Sequence, residues 1–416
     1  MNKRCLLALT TLAGLLSPLA HAIDIGDTFT IEGFGTVGGY KSDDPDVKFR
    51  ADSRQEMGNT GEWRFDGDTL FAAQATLNAH GPVKGVVQML SHKIRTQNWR
   101  PLTEWAYIAW DITPFVSWKV GRVIAPIFLM SDTRNLAYAQ TSVRPPQSLY
   151  QINPITNLDG TTVAWDHKAA GIDFNLSAMF GRTAVSTSAA SFKIPKIWGG
   201  AIKANKGHWT ARAGYSCFEL ETTLSSANAA LLTGLRASEG PGYSNFATVI
   251  DRSTPLAFTG KLMTLALHYD DGNYSVQTEA VKRLSPSLVT PDIKGWYIQG
   301  AKRFGDWTPY MRLGQLRLIE GNPGFAGTGS GPSPDVIAAT ATLLNESRIF
   351  GKSNRDEKGI GVRWDFASKL ALKAQYDWYS IKAPRYGKNA TVSYDIPNTA
   401  FDGHVNVLTI NLDYIF

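Results

Sequence analysis

Cysteine is almost absent from this chain: Cys5 and Cys217 are the two among 416 residues. Cys5 falls in an N-terminal segment expected to be removed, and it does not follow that segment's apolar run, which argues against a lipid anchor. Cys217 would then stand alone, so an intramolecular disulfide and a cysteine metal cluster are both excluded. Beyond the N-terminal segment no stretch approaches roughly 18 consecutive apolar residues, and no transmembrane helix is expected. Helical periodicity is scarce, and no repeat of about 20–50 residues is visible. There is no His-Glu-x-x-His zinc motif, and the seven histidines are scattered. No Gly-x-Ser-x-Gly elbow occurs, since Gly327 to Gly331 reads as a flexible loop. His268 and His404 have no serine that the sequence would pair them with. An enzyme is therefore not expected, and no cofactor is implied. A basic block is missing as well. The net charge of +6 is spread along the chain, so nucleic acid is not an expected partner.

Residues 1–22 read as a secretory signal. Lys3 and Arg4 form the basic region, Cys5 to Leu16 the apolar core, and Ala20-His21-Ala22 the small-x-small cleavage site. The remaining unit, 23–416, would begin at Ile23. Aromatic residues are abundant, with 12 Trp, 15 Tyr and 19 Phe. Many aromatics without a long apolar run suit strands that are apolar on one face only.

The C-terminus shows this alternation most clearly. From Gly403 onward Leu408, Ile410, Leu412, Tyr414 and Phe416 share one phase, and Thr409, Asn411 and Asp413 the other. Other segments repeat the pattern. Ile360, Val362, Trp364 and Phe366 alternate with Arg363 and Asp365. Leu370, Leu372, Ala374, Tyr376 and Trp378 alternate with Lys373, Gln375 and Asp377. Ile172, Phe174, Leu176, Ala178 and Phe180 alternate with Asp173, Asn175 and Ser177. In Tyr274 to Arg283 the polar phase is Ser275, Gln277, Glu279 and Arg283. Gly85 to Ile94 and Tyr310 to Glu320 are apolar on both faces, as expected where a wall packs on a neighbouring subunit or a folded-in loop.

Turn residues punctuate these runs. Short connections fall at Gly81-Pro82, Ile112 to Pro114, Lys168 to Ala170, Asn205 to Gly207, Asp270 to Gly272, Gly305-Asp306 and Ala367 to Lys369. Longer polar connections lie at about 41–66, 93–101, 123–158, 183–194, 222–257, 286–291, 321–355 and 384–402. Short and long connections alternate strictly and join sixteen strands. Within 41–70, Val47 to Arg54 has room for an extra strand piece. Gly33-Phe34-Gly35-Thr36-Val37-Gly38 matches the spacing of a dinucleotide-binding fingerprint. It leads into the loop-like Gly39 to Pro45 and not into a helix, so these glycines read as close approaches in a first strand.

The aromatic closing strand resembles that of Gram-negative outer-membrane β-barrels. The whole of 23–416 resembles the sixteen-stranded trimeric porins. The third connection follows Gly121-Arg122 and carries Ala125-Pro126 and Ser131-Asp132-Thr133-Arg134, then Tyr138 and Val143-Arg144-Pro145-Pro146. It is similar to the third-loop region of phosphate-selective-type and related porins, but a dense lysine or arginine ladder is not apparent. The resemblance implies an all-β, 16-stranded antiparallel transmembrane barrel with long external loops and an inward-folded third loop. It further implies a homotrimer in outer-membrane lipid, delivered by the barrel assembly machinery through a C-terminal signal at Ile410, Leu412, Tyr414 and Phe416. The expected function is passive diffusion of small hydrophilic solutes, with a mild anion preference. The alternatives are a channel selective for phosphate or small organic acids and a barrel enzyme acting on lipid. An exported β-sandwich is the soluble rival.

Charge along the pore wall sets such selectivity. The expected constriction comprises Asp132, Arg134 and Arg144 on the third loop, with Arg122, Arg212, Arg363 and Lys373 on the wall. Lys203 and Arg303 share the basic inward phase, and Asp173, Glu279, Asp365 and Asp377 the acidic one. Arg134 and Arg144 are expected to project into the lumen, with Asp132 pairing one of them. The other reading is that these residues only pin the loop to the wall through salt bridges.

Overall fold

The structure, a computed structural model, describes residues 23–26, 28–45, 47–55, 58, 61–79, 81–94, 99–186, 191–222, 233, 257–287, 290–319, 354–382, 394–395 and 401–416. The signal segment 1–22, with the cleavage residues Ala20 and Ala22, lies outside the described residues.

Sixteen strands form the wall: β1 Phe29–Ser42, β2 Leu70–Asn78, β3 Val83–His92, β4 Leu102–Thr113, β5 Val116–Ile124, β6 Asn157–Ala169, β7 Ile172–Ser186 and β8 Ser191–Lys206, then β9 Trp209–Thr222, β10 Ala257–Asp270, β11 Tyr274–Leu284, β12 Ile293–Lys302, β13 Trp307–Leu318, β14 Asn354–Ala367, β15 Leu370–Lys382 and β16 His404–Ile415. Each pairs antiparallel with its chain neighbours, and β16 pairs with β1, so the sheet is a closed barrel without a free edge. A short strand, Ile23–Ile25, folds back on Phe29 to Ile31. The extra piece foreseen in Val47 to Arg54 exists as Lys48–Phe49, which pairs with Tyr394–Asp395 of the last long connection.

All seven short connections fall where the turn residues put them, and the long ones gather at the other end. Between β6 and β7, Ala170 and Gly171 both have positive φ (51° and 71°), the backbone of a two-residue primed hairpin turn.

The two strand phases behave as the alternation requires. Leu265, Met311, Ile108 and Phe180 point outward at 64%, 65%, 61% and 56% exposure. The opposite phase is buried inside, including Lys373, Gln375, Asp377, Asn411 and Asp413. Ring pairs mark both ends of the outer apolar band. Trp307–Trp364 and Trp209–Tyr269 lie near the short turns, and Tyr376–Trp378 lies nearer the long loops. The apolar residues on the inner face of β13 have a local cause: Leu316 belongs to a buried cluster with the third connection.

Closure depends on the glycines of the fingerprint-like run, which lie in β1. The Phe416 amide donates to the Gly33 carbonyl at 2.8 Å, and the Gly33 amide donates back at 3.1 Å. A Cβ on Gly33 would lie 2.1 Å from the Phe416 ring, and one on Gly35 2.6 Å from that of Tyr414. Glycine therefore lets the terminal aromatics lie flat over the first strand. Gly35→Val should strain this seam by about 1–3 kcal/mol of overpacking. The amount of compact, fast-migrating form on unboiled gels should fall accordingly. Gly300→Ala, whose Cβ meets open space, should leave that form unchanged.

Candidate functional site

The third connection, between β5 and β6, folds into the barrel. Its apolar residues Ala125, Ile127, Phe128, Leu149, Tyr150, Ile152 and Ile155 pack on inward residues such as Phe218, Leu262, Val281, Ile293 and Leu316. The helical elements described within it are single turns, Ala137–Ala139 and Gln147–Tyr150. Most of its buried carbonyl groups must therefore find donors outside the loop.

The wall supplies them. Arg212 on β9 donates to Pro126 O (2.5 Å) and Ile127 O (2.9 Å). Arg283 on β11 reaches Ile152 O, Arg312 on β13 reaches Arg144 O, and Arg355 on β14 reaches Gln147 O. Arg363 on β14 donates to Tyr138 O (2.6 Å) and Gln140 O (2.9 Å), with its guanidinium over the Tyr138 ring. Lys373 on β15 caps Ala137, Gln140 and Ser142 carbonyls at 2.6–3.2 Å and pairs with Asp413 at 2.8 Å. Wall acceptors hold loop amides in turn. Glu279 accepts from Leu129 N and the Tyr150 hydroxyl, Glu357 from Ser148 N, and Gln375 from Val143 N.

The loop arginines are also anchored. Arg144 is buried, donating to Asp68 at 2.5 and 3.0 Å and to the Thr409 hydroxyl at 2.8 Å. Its acid is thus Asp68, at the entry to β2, and not Asp132. Arg134 braces the loop internally through Tyr150 O (2.8 Å) and Asn153 O (2.7 Å). Burial, and then the charge of Arg54, pull Arg134 down to about 10. Asp132 is exposed and faces a cavity. Arg122 takes the phase of the exposed Trp118 and Val120 on β5 and forms a half-exposed pair with Asp159 at 2.7 Å. The geometry brings Arg212, Arg363 and Lys373 onto the loop backbone, gives Arg144 a different acid, and leaves Arg122 at the rim. The reason is that a buried irregular loop offers many carbonyl acceptors, and cations reaching inward satisfy them before they line open space.

A second inward loop went unnoticed in the sequence. Val47, Phe49 and Ala51 of the first connection pack with Tyr40, Tyr379, Ile381, Phe401, Val405 and Val407. This loop joins the third one through Gln151, which donates to Ala51 O and accepts from Ser53 N, and through Gln147, which donates to Arg50 O. Burial opposes ionisation of Asp52, but the adjacent Arg54 guanidinium more than offsets it and holds the carboxyl well below the usual range. Apolar residues inside a polar connection were the available signal.

Open volume remains beside β4–β9. A cavity of about 560 Å³ toward the long loops is lined by Arg54, Glu104, Arg122 and Asp159. Another of about 320 Å³ toward the short turns is lined by Lys119, Lys203, Arg212, Asp132 and Asp166.

No family model and no curated protein sequence matches the chain. Solved structures do match. The outer-membrane OmpT of Vibrio cholerae shares 10% identity over 95% of this chain and 100% of its own, with a TM-score of 0.54. A Salmonella typhi OmpF complex with daunomycin shares 11% over 95% and 100%, also at 0.54. An anion-selective porin from Comamonas acidovorans shares 10% over 94% and 99%, at 0.51. The chain therefore has the bacterial porin fold.

The two kinds of arginine should separate experimentally. Arg144→Ala leaves the Asp68 carboxylate buried and unpaired and should cost about 3–5 kcal/mol. Arg122→Ala removes a half-exposed pair and should cost no more than about 1 kcal/mol. Urea unfolding in detergent micelles measures both.

Proposed function

We propose that this chain is an outer-membrane porin, a water-filled channel for passive diffusion of small hydrophilic solutes and ions. The observation that carries this reading is a closed barrel with an apolar outer band and charged open volume inside, narrowed by a loop tied to the wall. Lipid covers the outer band, since strands closed on themselves leave no unpaired backbone in the membrane. In this reading residues 1–22 direct export and are cleaved after Ala22, leaving 23–416 as the barrel. The mature protein assembles as a homotrimer, and Ile410, Leu412, Tyr414 and Phe416 present the C-terminal signal to the assembly machinery. The chain acts as a channel and not as an enzyme.

Selectivity in this reading follows from the cations left facing open volume. In the cavity toward the turns Lys119 and Lys203, backed by the Arg212 that holds the loop carbonyls, stand against Asp132 and Asp166. Arg54 and Arg122 are balanced by Glu104 and Asp159 in the other. One excess positive charge supports a mild anion preference. Asp132 tempers it, and Arg134, Arg144, Arg363 and Lys373 set the width of the path by holding the loop. Two inward loops, and a Lys119 ammonium over the Tyr107 ring at 5.3 Å, favour as a second reading a narrower channel for small organic acids or phosphate.

Conductance in a planar bilayer under a salt gradient tests the proposal. Stepwise openings with a reversal potential of anionic sign are expected, and Lys203→Glu should move the anion-to-cation permeability ratio about two- to fivefold toward cations. Absence of openings overturns the channel reading. Saturable flux of organic acids or phosphate, with little flux of neutral sugars of similar size, would decide for the second reading.

A further inference from the structure

Charges on the outer surface are unevenly placed around the long-loop end of the barrel. On β8 and β9 the outward set is balanced: Lys193 and Lys196 against Glu219 and Glu221, with Lys196 and Glu219 paired at 3.4 Å. On β10–β15 the long-loop half of the strands carries Lys261, Lys282, Lys294, Arg317, Lys358 and Lys382 in the outward phase. The single acid in this outward phase on these strands, among the described residues, is Asp356.

The register makes Lys261, Lys282, Lys294 and Arg317 a continuous row. Lys282 lies directly opposite Lys294, and Lys294 directly opposite Arg317. Lys261 lies opposite Leu284, one diagonal step from Lys282. Opposed side chains on one sheet face have Cβ atoms about 5 Å apart, and like charges so placed repel. Asp356 is occupied by Arg317 and by Lys382, the latter at 3.0 Å. Lys261, Lys282, Lys294 and Lys358 are exposed and have no acid partner among the described residues.

The height of the row indicates its occupant. Lys261, Lys294 and Lys358 each follow the apolar band by one step of the same phase, beyond Met263, Trp296 and Ile360. In a membrane this is headgroup depth, where Trp anchors and long cationic side chains settle. A phosphate among Lys282, Lys294 and Arg317 would accept charge-assisted hydrogen bonds from all three and remove their mutual repulsion.

We propose that this row binds the phosphorylated headgroups of lipids in the leaflet on the long-loop side, through direct lysine and arginine contacts that need no bridging divalent cation. The proposal rests on the membrane-channel reading. It assigns to β10–β15 a preference for anionic lipid that β8 and β9 lack.

Native mass spectrometry of the full barrel in neutral detergent tests it, with a diphosphorylated glycolipid, its dephosphorylated form and inorganic phosphate as probes. Lys282→Gln with Lys294→Gln removes two unpaired charges and leaves the Arg317–Asp356 pair intact. This variant should need on the order of tenfold more phosphorylated lipid to form the adduct. Lys193→Gln with Lys196→Gln should behave as wild type, and EDTA should not weaken wild-type binding. Five results would each overturn the proposal: unchanged binding by the first variant, an equal loss in the second, equal binding of the dephosphorylated lipid, loss on chelation, or displacement by millimolar inorganic phosphate. Unboiled gel migration verifies that every variant is folded. Bilayer openings from the same samples report on the channel separately, so failure of one reading is distinguishable from failure of the other.

Discussion

Irregular backbone can lie inside a protein only where its carbonyl and amide groups find partners. The third connection spans the interior with no more described helix than Ala137–Ala139 and Gln147–Tyr150, so it brings a row of acceptors into the barrel. Arg212, Arg283, Arg312, Arg355, Arg363 and Lys373 project from five strands and satisfy that row. Their own charges are answered in part by acids on the same wall. Arg312 meets Asp377 at 3.0 Å and Glu357 at 2.8 Å, and Lys373 meets Asp413 at 2.8 Å. Removing one partner from such a set exposes the full desolvation penalty of the others, so the loop and the wall stand or fall together.

This constraint divides the interior. Toward β11–β16 the lumen is taken up by the third loop and by the first, which Gln147 and Gln151 join to it. Toward β4–β9 the wall keeps cations and acids that face open volume, among them Lys119, Lys203 and Asp166. A basic residue in the inward phase can thus act in either of two ways, and its neighbours decide which. The same division accounts for the apolar residues on the inner face of β13, where Leu316 has loop to pack on.

Outside the barrel the determining constraint is closure. A cylinder of strands leaves no edge only if the last strand meets the first in register, and here Phe416 and Gly33 exchange their backbone hydrogen bonds. The glycine run in β1 is explained by the aromatic side chains that must lie across it. Its match to a nucleotide-binding spacing is coincidental, because the run lies inside a strand that continues to Ser42.

Much of this was legible in the amino-acid sequence. Period-two alternation, turn residues at regular intervals and an aromatic C-terminus determine sixteen strands, their faces and the two ends of the barrel. These are local properties, set by backbone geometry and by which residues tolerate a tight turn. The sequence also marks the third connection as unusual through its length and its apolar and arginine content. What it leaves open is which side chains meet across the lumen. Asp68 and Arg144 are 76 positions apart, and Lys373 lies more than 230 from the carbonyls it caps. Such pairings follow from the path the loop takes inside the barrel, and that path depends on packing and hydrogen bonding summed over many strands. The sequence thus determined the wall, and the tertiary structure alone decided which charges hold the loop and which face the open volume.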